Sequence, residues 1–175
     1  QPDTDTFLLL SLAATAMFVT AGGKWRHVLL LGVGVTILIL VLAMTRPYIK
    51  DRLTTFINPS IDPTGQSYQI QQSLIAIGSG GFTGRGYGQS VQKFDYLPEP
   101  IGDSIFAVFA EEFGFIGSII LISMLSIFTF RGFKIATHAT DMFGMLLVVG
   151  FMTLIVSQAF LNIAAMTGMA PLMGL

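Results

Sequence analysis

Long apolar runs separated by short polar breaks dominate the 175-residue chain. Phe7 to Gly23 reads FLLLSLAATAMFVTAGG without a charge, and Val28 to Thr45 is equally apolar. Ser104 to Phe130 and Met142 to about Ala170 repeat the pattern. A bilayer crossing takes about 20 apolar residues, so transmembrane helices are predicted at 7–23, 28–45, 104–130 and 142–170. The turn GGKWRH ends the first, Arg46-Pro47 ends the second, and Pro171 follows the fourth, since proline breaks the helical ladder. The intervening segment 46–103 is too long for a bare loop. Within it Asp62-Pro63-Thr64-Gly65 matches a type I turn. Tyr68 to Ile77, YQIQQSLIAI, places Ile70, Leu74 and Ile77 on one helical face. That helix is too short to span and is predicted to be interfacial or re-entrant. GSGGFTGRGYG then interrupts regular structure. The predicted fold class is all-α, a polytopic transmembrane helical bundle with a long extracytoplasmic loop carrying short helices.

Composition strengthens the membrane reading. Only 11% of residues are charged and 53% are hydrophobic, with a mean hydropathy of +0.73. A soluble domain carries about 25% charged residues, so most of this exterior does not face water. The net charge of −1 gives no reason to expect nucleic acid as a partner. With no cysteine, disulfides and thiolate metal sites are excluded. Lys24 and Arg26 in the first turn, and Arg131 and Lys134 in the connection RGFKIATHATD, mark one side as cytoplasmic. Segment 46–103 then faces outward. The chain opens on QPDTDT and stops in apolar GMAPLMGL, which reads as an internal part of a longer polytopic protein.

The third apolar run carries three carboxylates on or beside it, in GDSIFAVFAEEFG. Asp103 stands near a helix N-terminus, where a carboxylate serves as a cap or as a functional acid. Glu111 and Glu112 lie about 12–14 Å further along. At membrane depth a charge costs a few kcal/mol and normally faces a cavity, pairs with a cation or is protonated. Around the axis Glu111 is about 80° from Asp103 and Glu112 is nearly opposite, so one glutamate is expected to share a cavity with Asp103 and the other to serve packing. The alternative is that the first part of this helix projects above the hydrocarbon. The glycine cluster Gly78 to Gly88 matches neither a P-loop nor a dinucleotide fingerprint. It reads either as turn structure or, with Arg85 inside it and Lys93 beyond it, as an anion-approaching loop. Gln158 and Asn162 share a face of the fourth helix and predict interhelical hydrogen bonds. Met166, Met169 and Met173 predict packing or lipid contact, and His27 and His138 predict solvated turns.

These segments resemble one family. FINPSIDPTGQSYQIQQSLIAIGSGGFTGRGYGQSVQKFDYLPEP and DSIFAVFAEEFGFIG, together with the opening QPD, are similar to the SEDS (shape, elongation, division and sporulation; FtsW/RodA/SpoVE) family, closest to its division-type FtsW/SpoVE branch. The ordered pattern INP-x-x-DP-x-G-x-x-YQ with QS-x-x-AIGSGG and YLPEP carries the resemblance over essentially the whole chain. It implies a fragment of a longer helical membrane protein, with its large outer loop between the second and third spans seen here. It also implies a peptidoglycan glycosyltransferase that polymerises lipid II, the undecaprenyl-pyrophosphate-linked disaccharide-pentapeptide, at the outer face of the bacterial cytoplasmic membrane during cell division. The implied partners are a class B penicillin-binding protein, other division proteins and membrane lipid. The family's essential acid, in a PE-x-x-(T/G)-D segment, falls on Asp103, with Pro98 and Glu99 supplying the PE. Three positions depart from the family pattern: Ile101-Gly102 replaces His-Thr, QPDTDT with Asp5 replaces QPDLGT, and Met173 replaces a threonine.

Asp103 is therefore the expected catalytic base, abstracting a proton from the acceptor hydroxyl with inversion at the donor sugar. Arg85, Lys93, Glu99, Gln69 and Gln72 are the expected substrate-binding residues, and Glu111 and Glu112 the supporting intramembrane acids. No cofactor is required by the sequence; a divalent cation such as Mg2+ held by Asp103 is the alternative to Arg85 and Lys93 for neutralising pyrophosphate. Two rival functions are a lipid-linked precursor flippase or transporter, and a non-catalytic membrane scaffold.

Overall fold

A computed structural model of the chain describes residues 4–45 and 66–170. Every regular element among these residues is helical: α1 (Thr4–Thr20), α2 (Trp25–Thr45), α3 (Gln66–Ser79), α4 (Gln92–Asp95), α5 (Ile105–Thr137) and α6 (Met142–Met166). Gln1 to Asp3, the Arg46-Pro47 stop, the Asp62–Gly65 turn, Pro171 and Met173 lie outside the described residues, as does the side chain of Asp5. Two helices, α5 and α6, are long and apolar enough to cross a membrane. Their flanks carry exposed Ile116, Ile119, Ile120, Ile127 and Phe151, as a lipid-facing or helix-facing surface does. This is a helical membrane protein.

The chain divides into two compact units whose boundaries fall inside α5 and α6. One unit holds α1, α2, the end of α5 and most of α6. Glycine notches there receive methionine side chains: a Cβ at Gly132 would strike Met152, and one at Gly150 would meet Met17 Sδ at 2.8 Å. Unbranched methionine fills such irregular gaps readily. The second notch packs the end of α1 against the first half of α6. The predicted connection from Arg131 is helical as far as Thr137. Lysine and arginine are good helix formers whose charges reach the interface on long stems, so they need not end a span.

The other unit holds α3, α4, the glycine loop, the start of α5 and the end of α6. Its core joins Ile70 and Ala76 of α3 and Leu97 of the loop to Phe106, Ala107 and Val108 of α5 and Ala165 and Met166 of α6. Met166 is 1% exposed, and Ser73 Oγ donates to its sulfur at 3.1 Å. Helix α3 runs to Ser79 and is longer than the predicted Tyr68–Ile77 segment. It buries Ser67, Ile70, Ser73 and Ala76, the i, i+3, i+6, i+9 face that packs on the core.

Candidate active site

Asp103 immediately precedes Ser104, whose carbonyl accepts the first helical bonds of α5 from Ala107 (3.0 Å) and Val108 (3.2 Å). The loop leading into it is closed tightly. Ser104 N–H donates to Glu99 O at 3.1 Å, and Ser104 Oγ donates to Pro98 O at 2.9 Å. Gln69 Nε2 reaches across from α3 and donates to Ser104 Oγ at 3.0 Å. From α6, Asn162 Nδ2 donates to the backbone carbonyl of Asp103 itself at 2.7 Å. Two helices far apart in sequence thus hold this corner, α6 through the Asp103 carbonyl and α3 through the Ser104 hydroxyl, and Asp103 is half-buried there.

Glu99 carries the one positive φ outside glycine among the described residues, 46°. A left-handed non-glycine residue costs about 1–2 kcal/mol. The turn is held by the two Ser104 bonds and by buried Leu97 on its upstream side. Glu99 Oε2 lies over Gly102, 3.7 Å from where a Cβ there would stand. Gln72 is half-buried on α3, with no side-chain hydrogen bond among the described residues.

A second polar assembly sits about two to three turns beyond Asp103 along the chain of α5. Gly114 has φ 67° and ψ −164°, which breaks the helix between Phe113 and Phe115. A regular helix would join Phe115 N–H to Glu111 O and Ile116 N–H to Glu112 O. The glycine loop takes both places. Arg85 N–H donates to Glu111 O and Gly86 N–H to Glu112 O, each at 3.0 Å. Phe115 N–H donates to Gly81 O at 2.9 Å, and Ile116 N–H to Phe82 O at 3.1 Å. Two aromatic pairs flank the insertion, Phe82 on Phe115 at 6.0 Å and Tyr87 on Phe113 at 6.2 Å. A helix opened in an apolar setting must have its freed backbone groups satisfied by protein, and the loop satisfies all four.

Glu111 is fully buried at this break. Its carboxylate accepts Ser90 Oγ–H at 2.6 Å, Val91 N–H at 3.2 Å and Gln92 N–H at 3.3 Å, anchoring the start of α4. Arg85 Nε stands 3.5 Å from it, with the arginine side chain 42% exposed. Lys93 N–H donates to Ser90 Oγ at 3.1 Å, while its ammonium lies 5.7 Å from the Phe94 ring centroid. Glu112 is 6% exposed, and its Oε1 has no hydrogen-bond partner among the described residues.

The predicted residues therefore form two groups. Asp103, Glu99 and Gln69 belong to the helix start, whereas Arg85, Glu111 and Lys93 belong to the break. The cavity expected between Asp103 and one glutamate is replaced, for Glu111, by the Ser90–Arg85 surround. Ser90, Ser104 and the clamping role of Asn162 escaped the sequence reading. Asn162 signalled only that it would hydrogen-bond, and a serine before an apolar run signalled only a cap. Among the described residues no group of three or more histidine, cysteine, aspartate or glutamate side chains gathers to hold a metal ion.

Known proteins are similar to this chain over its whole length. The chain is 40% identical over its whole length to stage V sporulation protein E of Bacillus subtilis, covering 48% of that protein. It is 38% identical to the probable peptidoglycan glycosyltransferase FtsW of Geobacter sp. (strain M18), over 100% of this chain and 48% of the relative. The probable peptidoglycan glycosyltransferase FtsW of Escherichia coli O6:H1 is also 38% identical, with 43% of its length covered. The chain spans about half the length of these curated relatives. Among solved structures, a chain from "Structural coordination of polymerization and crosslinking by a peptidoglycan synthase complex" superposes with a TM-score of 0.75 at 22% identity, covering 100% of this chain and 48% of that one. The family of FtsW, RodA and SpoVE, described as cell cycle proteins, matches residues 1–175, and this chain belongs to it.

Proposed function

We propose that the protein containing this chain is a peptidoglycan glycosyltransferase that polymerises lipid II at the outer face of the cytoplasmic membrane, with Asp103 as its general base. The observation that carries this reading is the clamp beside Asp103: a half-buried acid at the end of a membrane helix, its backbone carbonyl held from α6 and the adjacent Ser104 hydroxyl held from α3. The names of the relatives that align over the same residues support it. The basic turns at Lys24 and Arg26 and at Arg131 and Lys134 favour a cytoplasmic position for both. By alternation of the spans along the chain, the segment that ends at Asp103 then faces outward.

In the reaction, an acceptor sugar hydroxyl attacks the anomeric carbon of the donor. The new glycosidic C–O bond forms as the bond to pyrophosphate breaks, and the Asp103 carboxylate receives the hydroxyl proton. A positioned base contributes about 10²–10⁴-fold. One base with a good leaving group gives inversion without a covalent intermediate. Developing charge on the lipid-borne pyrophosphate is met by cations, and Arg85, oriented by Glu111 and with much of its side chain exposed, is the strongest candidate.

A broken helix is also a device of ion-coupled carriers. In those, the freed helix ends face substrate, whereas here the loop's own backbone occupies them, which favours the enzyme. The experiment uses the full-length protein with a class B penicillin-binding protein, the partner's cross-linking site blocked by penicillin, and labelled lipid II. Glycan strands are expected. Lipid II crossing between leaflets without polymer, or a stable complex that makes none, would sink the proposal in favour of carrier or scaffold.

The clamp gives a narrower expectation. Asn162→Ala removes the bond to the Asp103 carbonyl, and misplacing a catalytic group by about 1 Å costs up to about 10²-fold. kcat should fall about 10–100-fold with KM nearly unchanged. An unaltered kcat would show that Asn162 does not position Asp103.

A further inference from the structure

At the far end of α5 from Asp103, a groove of about 500 Å³ opens between the last turns of α5 and the start of α6. Arg131, Lys134 and His138 line it, above an apolar wall that includes Ile135 and Val148. The spacing i, i+3, i+7 puts all three basic groups on one face. Neither Arg131 nor Lys134 has a side-chain partner among the described residues. His138 Nδ1 donates to Lys134 O at 2.8 Å, so its ring forms the rim and the two permanent cations carry the charge. The acid nearest this end, Asp141, is engaged as the cap of α6, accepting Gly144 N–H at 2.8 Å.

The setting identifies the occupant. The uncharged stretch from Phe115 ends at Arg131, so the groove lies where a span of about 20 residues leaves the hydrocarbon. Phe130, Ile135 and Phe143 around it are exposed, as surfaces beside acyl chains are. A ligand that is anionic at one end and apolar at the other matches both halves of the groove. We propose that this groove is a binding site for the headgroup of an anionic phospholipid, its phosphodiester between Arg131 and Lys134 and its chains along Ile135 and Val148. Basic pockets between transmembrane helices bind such headgroups, with each nearby cation contributing about fivefold in affinity. The site is separate from the polymerisation chemistry.

The test reconstitutes the full-length protein into nanodiscs of phosphatidylcholine with a minor fraction of phosphatidylglycerol, and counts retained lipids by native mass spectrometry. Wild type should retain phosphatidylglycerol preferentially, and Arg131→Gln with Lys134→Gln should weaken that retention by about 30-fold, from two cations. Lys24→Gln with Arg26→Gln removes equal charge from the α1–α2 turn and should change it little. Val148→Trp fills the groove while keeping every charge, so it should also lower retention, and it serves if the first pair does not fold. Millimolar inorganic phosphate should not compete. Equal retention of both lipids by wild type, equal loss in both charge pairs, full retention in Val148→Trp, or displacement by free phosphate would each overturn the site.

Discussion

Asp103→Ala in the full-length protein is expected to lower glycan polymerisation by at least about 10²-fold, the smaller end of what a positioned general base supplies. Two bonds that hold this corner do not involve the Asp103 side chain. Asn162 grips the carbonyl of residue 103, and Gln69 grips the side chain of Ser104. Both bonds survive a change in the side chain at 103, so the loop and the start of α5 keep their geometry. Asp103→Asn should lose nearly as much, because an amide of the same shape cannot take the proton. Asp103→Glu keeps the acid but moves it outward by a methylene, and a partial loss is expected. The measurement is strand formation from labelled lipid II, alongside melting temperature and co-purification with the penicillin-binding protein. Polymer at wild-type rates from either the alanine or the asparagine variant would remove Asp103 from the chemistry.

How much of this was legible in the sequence depended on how local each feature is. The apolar runs specified α1, α2, α5 and α6 because burial in lipid selects composition directly. Asp103 stood out as a carboxylate just ahead of an apolar run, but its spacing fits a cap as well as a functional acid, and the role of base came from the family resemblance. Glu111 stood out as a carboxylate within that run, but its partners could not be read. Ser90 and Arg85 come from a loop more than twenty positions upstream, and no periodicity links them to the helix. The break at Gly114 was equally hidden. A glycine inside a helix costs only about 1 kcal/mol, and glycine is frequent in transmembrane helices. Only the presence of a second glycine-rich backbone, arriving from residues 81–86, makes a break more favourable than a continuous helix. The end of α5 was missed for the opposite reason: charge marked the membrane boundary at Arg131, but helix and membrane need not end together.

That dependence makes the break the most sensitive point of the fold outside the reacting acid. Gly114 combines positive φ with extended ψ, a region essentially reserved for glycine, where other residues cost about 1–3 kcal/mol. A Cβ there would also strike the backbone of Gly84 and approach Phe82 O and Thr83 C at 2.8 Å. Gly84 has φ +81°, and a Cβ on it would strike Glu112 O. Gly114→Val should therefore expel the loop, giving up four hydrogen bonds between loop and helix of about 0.5–1.5 kcal/mol each. That loss is at least about 2 kcal/mol. Loss of those bonds should raise exchange of the Arg85 and Gly86 amides by about 30-fold, since 1.4 kcal/mol is a factor of ten. Gly84→Val should give the same signature from the other side of the contact. Gly78→Ala is the matched control: it lies in α3 with nothing within 4 Å of its added methyl, and alanine there should be neutral or stabilising by up to about 1 kcal/mol. With the loop expelled, Arg85 leaves Glu111 and the start of α4 loses its anchor, so polymerisation should fall together with the melting temperature. Protected Arg85 and Gly86 amides and full activity in Gly114→Val would mean that the inserted loop does not depend on the break at Gly114.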